Sequence, residues 1–444
     1  MSDQATDLLE KIRQQFDSAP YPCAPVEDSP ENDIGKLFLN SLVTPYYLKN
    51  QRFVNTQGKT ILDAGCGSGF KALTLAIANP GAKIVGVDLS GESIELAKQR
   101  FQFHSIENAE FHVLSIDDLP RLKQTFDYIN CDDVLYFFPN LEAGLRSIKS
   151  VLNPEGIIRG NLHSATQRFH YLRAQEVFRT MGLMEANPED LEVEIVRDTM
   201  MSIKDEVDLK VRTWSSTFTD PKKGKQKVLA NYLLQGDKSY TVSELMSSLR
   251  AADLEFISML DWQSWNLLNL FEQPNELPEF WKKKLPEMSI ERRLEIFELL
   301  QPNHRLLDFW CTHSGQTSHN ILVSDWKDSD WKNAIVHLHP ALKTPQFKAE
   351  LSEALRQQQS FEIGQISSES SQSSLILEAD TLAYLLPLWD ESQRVDSLVN
   401  HWRELRPLNP VTLDSKSEEE AFEQVKQVLT SLSNPLYVLL ERST

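Results

Sequence analysis

Residues 61–70 read ILDAGCGSGF, an apolar run interrupted by three alternating glycines and followed by a helical pattern. Gly65, Gly67 and Gly69 carry no Cβ atoms, so the turn is tight and a ligand can approach its backbone closely. The same grammar repeats to residue 163. The runs TILDAG, KIVGVDLS, EFHVLS, FDYINCDD and GIIRGNLH alternate with helical patterns at 71–78, 92–103 and 141–152. This alternation predicts an α/β fold with a Rossmann-like, doubly wound parallel sheet. Ligands of such sheets bind outside the carboxyl ends of the strands.

The rest of the chain is read around that core. Leu8, Leu9, Ile12 and Phe16 have helical spacing and lead into a proline-rich stretch, QFDSAPYPCAPVEDSP, at 15–30. A second helix is expected over 34–43, stopping before Pro45. Beyond residue 161 the strand rhythm fades, helices are expected at 165–182 and 241–253, and these segments are not expected to extend the sheet. LPEMSIERRLEIFELLQPNHRLLDFW reads as a further helix and a strand. From residue 333 a small α+β unit is expected, with FEIGQI and LILEA as two strands around a serine-rich loop and two helices after them. The resulting division is an N-terminal helical and proline-rich lid (1–50), a cofactor domain (51–165), a mostly helical substrate region (166–332) and a C-terminal domain (333–444).

The chemistry of the glycine turn narrows the ligand. A dinucleotide site needs a third glycine where Phe70 stands, and a phosphate-gripping loop needs a G-K-[ST] that does not follow. Asp63 precedes the glycines, where it would repel a pyrophosphate but suits a cationic amino-acid group. Asp88, with Leu89 beside it, ends the next strand and is placed to accept from ribose hydroxyls. The ligand implied is a nucleoside bearing an amino acid and a sulfonium.

With these motifs in order, residues 60–163 resemble the class I S-adenosylmethionine-dependent methyltransferases, which implies S-adenosyl-L-methionine as cofactor. The resemblance assigns Asp63, Gly65, Cys66, Gly67 and Gly69 to the cofactor's amino-acid end and Asp88 and Leu89 to its ribose. In LSIDDLP, Ser115 stands where the family commonly has an acidic residue near the adenine; Ile116 supplies the following backbone N–H, and Asp117 is the alternative acceptor. Cys131 closes the family's fourth strand. Arg159 and Asn161 depart from the pattern, since the family's fifth strand is usually apolar there; either that strand's end faces the cavity or its register is shifted.

Methyl transfer from a sulfonium needs chiefly orientation and desolvation, with a base only where the acceptor must lose a proton. The acceptor-facing candidates are Asp132, Asp133 and Tyr136 after the fourth strand and His163 after the fifth, each of which could equally be a helix cap or packed core residue. No [DN]-P-P-[YFW] signature is present. YLLQGDKSYTVSELMSSLRAADLEFISMLDW resembles the segment after the catalytic domain in large bacterial methyltransferases, except that Gln235 and Gly236 replace a usual His-Pro, and LAYLLPLWDESQRVDSLV resembles a C-terminal segment of bacterial protein lysine methyltransferases and their regulatory-domain relatives. FDSAPYP resembles an N-terminal stretch of the same relatives, which makes Tyr21 a candidate wall of the acceptor site. These likenesses imply a protein substrate methylated on a side-chain nitrogen, lysine or another. A small-molecule acceptor stays open, roofed by aromatics such as Phe169, Tyr171, Phe178 and Trp214, as does a non-catalytic cofactor-binding scaffold.

Composition sets outer bounds. With 444 residues, 41% of them hydrophobic, more than one packed core is expected. A formal charge of −19 disfavours nucleic acid, and the basic run PKKGKQK at 221–227 reads as a solvated loop. No run is long and apolar enough for a membrane span, and the acidic N-terminus is unlike a signal peptide, so a cytoplasmic location is expected. Cys23, Cys66, Cys131 and Cys311 are widely spaced, as for reduced thiols. Five histidines between His304 and His339, near Cys311, fit no common zinc spacing, and no metal is expected. Oligomeric state is not legible.

Overall fold

In the computed structural model, the structure describes residues 10–11, 13–14, 17, 21–22, 24–221, 223–317, 321–363, 375–405 and 417–442. Five apolar runs form parallel strands: β1 (Thr60–Ala64), β2 (Lys83–Asp88), β3 (Ala109–Val113), β4 (Phe126–Cys131) and β5 (Leu152–Ser164). Four of β1's five residues and five of β4's six are buried, as expected for parallel strands covered on both faces by helices. The helices Phe70–Ala78, Gly91–Phe103 and Leu141–Lys149 make the crossovers. Ser90 and Asn140 cap the latter two, accepting from Ser93 N at 3.1 Å and Ala143 N at 2.9 Å.

The sheet does not end at β5, contrary to expectation. Its order is β3-β2-β1-β4-β5-β8-β7, where β7 (Leu254–Met259) and β8 (Leu306–His313) run antiparallel to their neighbours and β6 (Ser239–Tyr240) pairs with the end of β5. The helical segments from Phe169–Thr180 to Gly224–Tyr232 form a core of their own around Phe178, Val196 and Tyr232. Their interposition between β5 and β8 hid a pairing between neighbours in space.

The helix expected at 34–43 is two: Ile34–Asn40 and Val43–Asn50. Pro45 sits in the first turn of the second, where a missing N–H costs nothing. Both helices pack against a three-stranded antiparallel sheet of order β12-β9-β13, built from β12 (Gln393–Arg394), β9 (Ala334–Leu338) and β13 (Val438–Arg442). Leu37, Phe38, Val43 and Tyr47 share one core with Val336, Trp402 and Leu439, and Tyr47 Oη donates to Leu440 O at 2.9 Å. The strands β10 (Phe361–Ile363) and β11 (Leu375–Leu377) pair antiparallel, as read from the sequence.

The basic run at 221–227 is partly helical rather than a loop: Lys225 and Lys227 lie in Gly224–Tyr232, and Lys225 pairs with Asp190 at 2.5 Å. The helix expected at 4–16 is described only at Glu10, Lys11, Arg13 and Gln14; Leu8, Leu9, Ile12, Phe16 and also Cys23 lie outside the described residues. No helix among the described residues is long and apolar enough to cross a membrane.

Candidate active site

At the carboxyl ends of β1, β2 and β4 lies a cavity of about 570 Å³. Its floor is the glycine turn. Gly65 N and Cys66 N both donate to Val87 O, at 2.8 and 2.9 Å, and Gly67 N donates to Asp88 Oδ2 at 2.9 Å. Asp88 Oδ1 accepts from Ser90 N at 2.9 Å, so this carboxylate staples the turn to β2 while still facing the cavity. Burial raises its pKa, against three backbone N–H donors.

Residues 21–22 and 24–25 of the proline-rich stretch are bolted to the same turn. Ser68 N donates to Tyr21 O at 3.0 Å and Ser68 Oγ to Pro22 O at 2.8 Å. The Arg100 guanidinium then clasps the carbonyls of Ala24 (2.8 Å), Pro25 (2.6 Å) and Ser68 (3.1 Å). Gly67, at φ +49°, is where these two segments touch: a Cβ there would lie 2.1 Å from the Tyr21 carbonyl oxygen. The Tyr21–Pro22 peptide is cis, and the Tyr21 side chain, about half exposed, lines the cavity.

Asp63 is the buried acid of the site. Its Oδ1 accepts from Asn130 Nδ2 at 2.7 Å, whereas Oδ2 is buried without a hydrogen-bond partner. Burial pushes its carboxyl up to about 7, against the pull of Asn130 and Lys71. Asp63 is among the residues lining the cavity, and a carboxylate with an orphaned oxygen fits a cationic ammonium group. Leu89, Ser115, Ile116 and Asp117 line the other end of the cavity. Ser115 Oγ already caps a 3-10 turn, accepting from Asp117 N at 3.3 Å.

The loop after β4 forms the remaining wall. Burial would raise Asp132, but Lys71, 2.7 Å away, and Arg159 hold its carboxyl well below the usual range. Asp133 has a left-handed backbone (φ +57°) and donates its N–H to Asn161 Oδ1 at 2.8 Å. Burial and the neighbouring Asp132 charge push its carboxyl up to about 6.

Several expected residues stand behind the wall, and neither Tyr136 nor His163 is among the lining residues. The His163 ring stacks on Tyr136 at 4.0 Å, with Nδ1 2.6 Å from Asp237 Oδ1 and Nε2 3.1 Å from Arg305 Nη2. Both ring nitrogens are engaged, so the direct contact with an acceptor expected of His163 is not what its placement gives. Tyr136 reaches Asp133 Oδ1 at 3.4 Å. Gly69 meets Ala97 instead of the cavity, since a Cβ there would lie 2.7 Å from Ala97 Cβ, and Cys131 is buried in the core. Phe178 and Trp214 pack around Tyr232, Tyr171 beside them, and Phe169 is largely exposed; none of these four lines the cavity.

The polar departures in β5 now have a cause. Arg159 makes a bidentate pair with Asp308 of β8, at 3.2 and 2.9 Å, and donates to Asn40 Oδ1 at 2.9 Å. Asn161 Nδ2 donates to Asp132 while its Oδ1 fixes the Asp133 backbone. The β4–β5 pairing does carry a register shift, between Phe126 and Tyr128, and beyond it β5 uses alternate side chains to brace the loop after β4. Lys71, Asn130, Asp237, Arg305 and Asp308 were missed from sequence. The histidines of 304–339 are dispersed: His304 stacks on Trp265 at 4.4 Å, His337 on Phe53 at 4.3 Å, and His339 packs on Phe38 at 4.4 Å. His319 lies outside the described residues.

Comparison with known proteins agrees with this fold. A family model described as a methyltransferase domain matches residues 55–226. An uncharacterized protein of Synechococcus sp. is 25% identical over 343 residues, 77% of this chain and 78% of its own length. The ubiquinone biosynthesis O-methyltransferase of Haemophilus ducreyi is 36% identical over 110 residues, 23% of this chain; the chain spans only 44% of that relative. Among solved structures, PKMT2 from Rickettsia typhi superposes with a TM-score of 0.57 at 17% identity, over 92% of this chain and 76% of that one. The same protein in complex with AdoHcy gives 0.55 at 19%, over 96% and 78%. At such identities the likeness is one of fold. Residues 55–226 therefore form a methyltransferase domain with the class I fold, and this domain supports S-adenosylmethionine-dependent methyltransferase activity.

Proposed function

We propose that this enzyme methylates a side-chain nitrogen of a protein, lysine or another. S-adenosylmethionine, when bound, supplies a methyl group already activated on a sulfonium. The orphaned Oδ2 of Asp63 would accept from its ammonium, the free lone pairs of Asp88 from its ribose hydroxyls, and Ser115, Ile116, Asp117 and Leu89 would surround its adenine. Gly65, Cys66 and Gly67 leave room for its amino-acid end.

The observation that carries the acceptor is the pair Asp132 and Asp133 on one wall of the cavity. An acidic wall attracts an amine and orients it by hydrogen bonds. Asp132 stays ionised beside Lys71, while Asp133, raised to about 6, is the group suited to take up a proton so that the amine attacks as a neutral nucleophile. Tyr136 and His163 hold this wall from behind. Tyr21 lines the cavity within electrostatic reach of Asp133, and the described part of the proline-rich stretch would act as a lid over the methyl-bearing end. The aromatics that would have favoured a metabolite chamber pack elsewhere. The match to a ubiquinone biosynthesis O-methyltransferase favours a second reading, a small-molecule oxygen acceptor, but it covers only 23% of this chain.

The test is transfer of radiolabel from S-adenosylmethionine to a fractionated cell extract. Trypsin-sensitive label, mapped by mass spectrometry to a side-chain nitrogen, is expected. Label confined to organic-soluble or RNase-sensitive material would overturn the proposal.

A further inference from the structure

One cation stands near the acidic end of the cavity without lining it. Arg305, exposed and directly ahead of β8, donates from Nη2 to His163 Nε2 at 3.1 Å. His163 can accept there because its other nitrogen is committed to Asp237 at 2.6 Å. Asp237 is held in turn by Arg168 at 2.9 Å and Gln175 at 2.8 Å. Burial keeps the imidazole pKa down at about 4, so the ring is neutral and Nε2 retains its lone pair. His163, Asp237 and Arg168 have side chains no more than 1% exposed.

A buried charged cluster is costly to assemble. This one ends in a surface guanidinium, which it anchors at one nitrogen. Among the described residues, no other hydrogen bond or ion pair of the Arg305 side chain is found, which leaves the rest of its five donors available to a ligand. Arg305 also lies within electrostatic reach of the acceptor wall. Its charge opposes the upward shifts that burial and nearby carboxylates impose on Asp133 and Tyr21, both of which line the cavity.

We propose that Arg305 is a recognition residue for a carboxylate carried by the acceptor polypeptide next to the methylated nitrogen, that is, an Asp or Glu flanking the target lysine. The inference rests on the protein-nitrogen reading above and names the sequence context it selects. The carboxylates Asp132 and Asp133 face the amine, and a guanidinium beyond them faces an acid, so the site has the charge order of a lysine with an acidic neighbour. A planar fork anchored at one nitrogen suits a carboxylate through paired hydrogen bonds. Because the buried cluster holds Arg305 in place, little rotamer freedom is lost on binding.

The experiment maps methylated sites in a cell extract labelled by the full chain and by the Arg305→Gln and Arg305→Lys variants. Wild-type sites should carry Asp or Glu within two positions more often than the lysines of the same extract. Arg305→Gln should flatten this preference and Arg305→Lys should keep part of it. On one peptide taken from a mapped site, Glu→Gln in the peptide should raise KM about tenfold for wild type, as for loss of a charge-assisted hydrogen bond, and leave KM of Arg305→Gln unchanged. Unchanged cofactor affinity in Arg305→Gln, measured by calorimetry, controls for folding. Labelled lysines with no acidic preference, or a preference that survives Arg305→Gln, would overturn this inference and leave the protein-nitrogen reading standing. Absence of any labelled protein nitrogen would overturn both.

Discussion

Replacing Asp63 by Asn tests the cofactor site at its most unusual feature. The residue is buried at 1% exposure, with one oxygen bonded to Asn130 and the other orphaned. A carboxyl moved from 3.8 to about 7 on burial corresponds to about 4 kcal/mol of penalty on its ionised form. Because the folded-state pKa is raised, its contribution to stability is fully present below pH 4 and is lost as pH rises through about 7. Asp63→Asn removes that loss. The ligand-free variant should be the more stable protein above pH 7, by up to about 4 kcal/mol.

Cofactor binding should show the opposite balance. If the orphaned oxygen receives an ammonium, binding requires the ionised carboxylate, and below pH 7 a proton must leave first. From pH 7.0 to 5.5 the wild-type Kd should then rise about 15-fold, the ratio that linkage gives for one group titrating near 7. An α-amino group stays charged throughout that window. Calorimetry at pH 7 in buffers of different ionisation enthalpy should register about half a proton released, and Asp63→Asn should bind more weakly, without this pH slope. Asp88 and Asp133 are also raised, so the slope is read as the difference between the two proteins. Equal slopes in both, or no proton release by wild type, would refute the assignment of Asp63 to the ammonium.

Two further substitutions probe the supports of the site. Gly67→Ala should unseat the proline-rich stretch, because its Cβ meets the Tyr21 carbonyl at 2.1 Å, and should lower cofactor affinity as well as Tm. Gly58→Ala, at φ +76° with nothing within 4 Å, should cost only about 1 kcal/mol of backbone strain and leave affinity unchanged; calorimetry and thermal melts on both separate contact from conformation. Arg159→Met should destabilise by about 3–5 kcal/mol in denaturant titration, since it strands Asp308, while Asp132 keeps Lys71 and Asn161. Most of that loss should return in Arg159→Met combined with Asp308→Leu.

The cofactor half of the site was legible because its determinants are local. Asp63 and the three glycines lie within seven residues of one strand-to-helix turn, and Asp88 ends the next strand. Short apolar runs alternating with helical segments announce a parallel sheet whatever follows them. The acceptor half was not legible in the same way. Asp237 and Arg305 reach His163 across 74 and 142 residues, and neither sits in a pattern that marks it. Without those partners, a histidine at a strand end looks like a free base; with them, its nitrogens are occupied.

Strand β5 shows what signal was available. Arg159, Asn161 and His163 alternate along an otherwise apolar run, so they share one face of the sheet. Three buried polar residues on one face demand partners, since an uncompensated buried charge costs several kcal/mol. RLLDFW supplies the complementary irregularity: one aspartate, Asp308, inside another apolar run. An arginine in one buried strand and an aspartate in another are mutual evidence of adjacency, and here they meet at 2.9 Å across 149 residues. The same pairing that adds β8 to the sheet also carries Arg305 to the acceptor wall, because Leu306 is the register partner of His163. The antiparallel extension thus bears on the site as well as on packing: it brings the guanidinium bonded to His163 within electrostatic reach of Asp133.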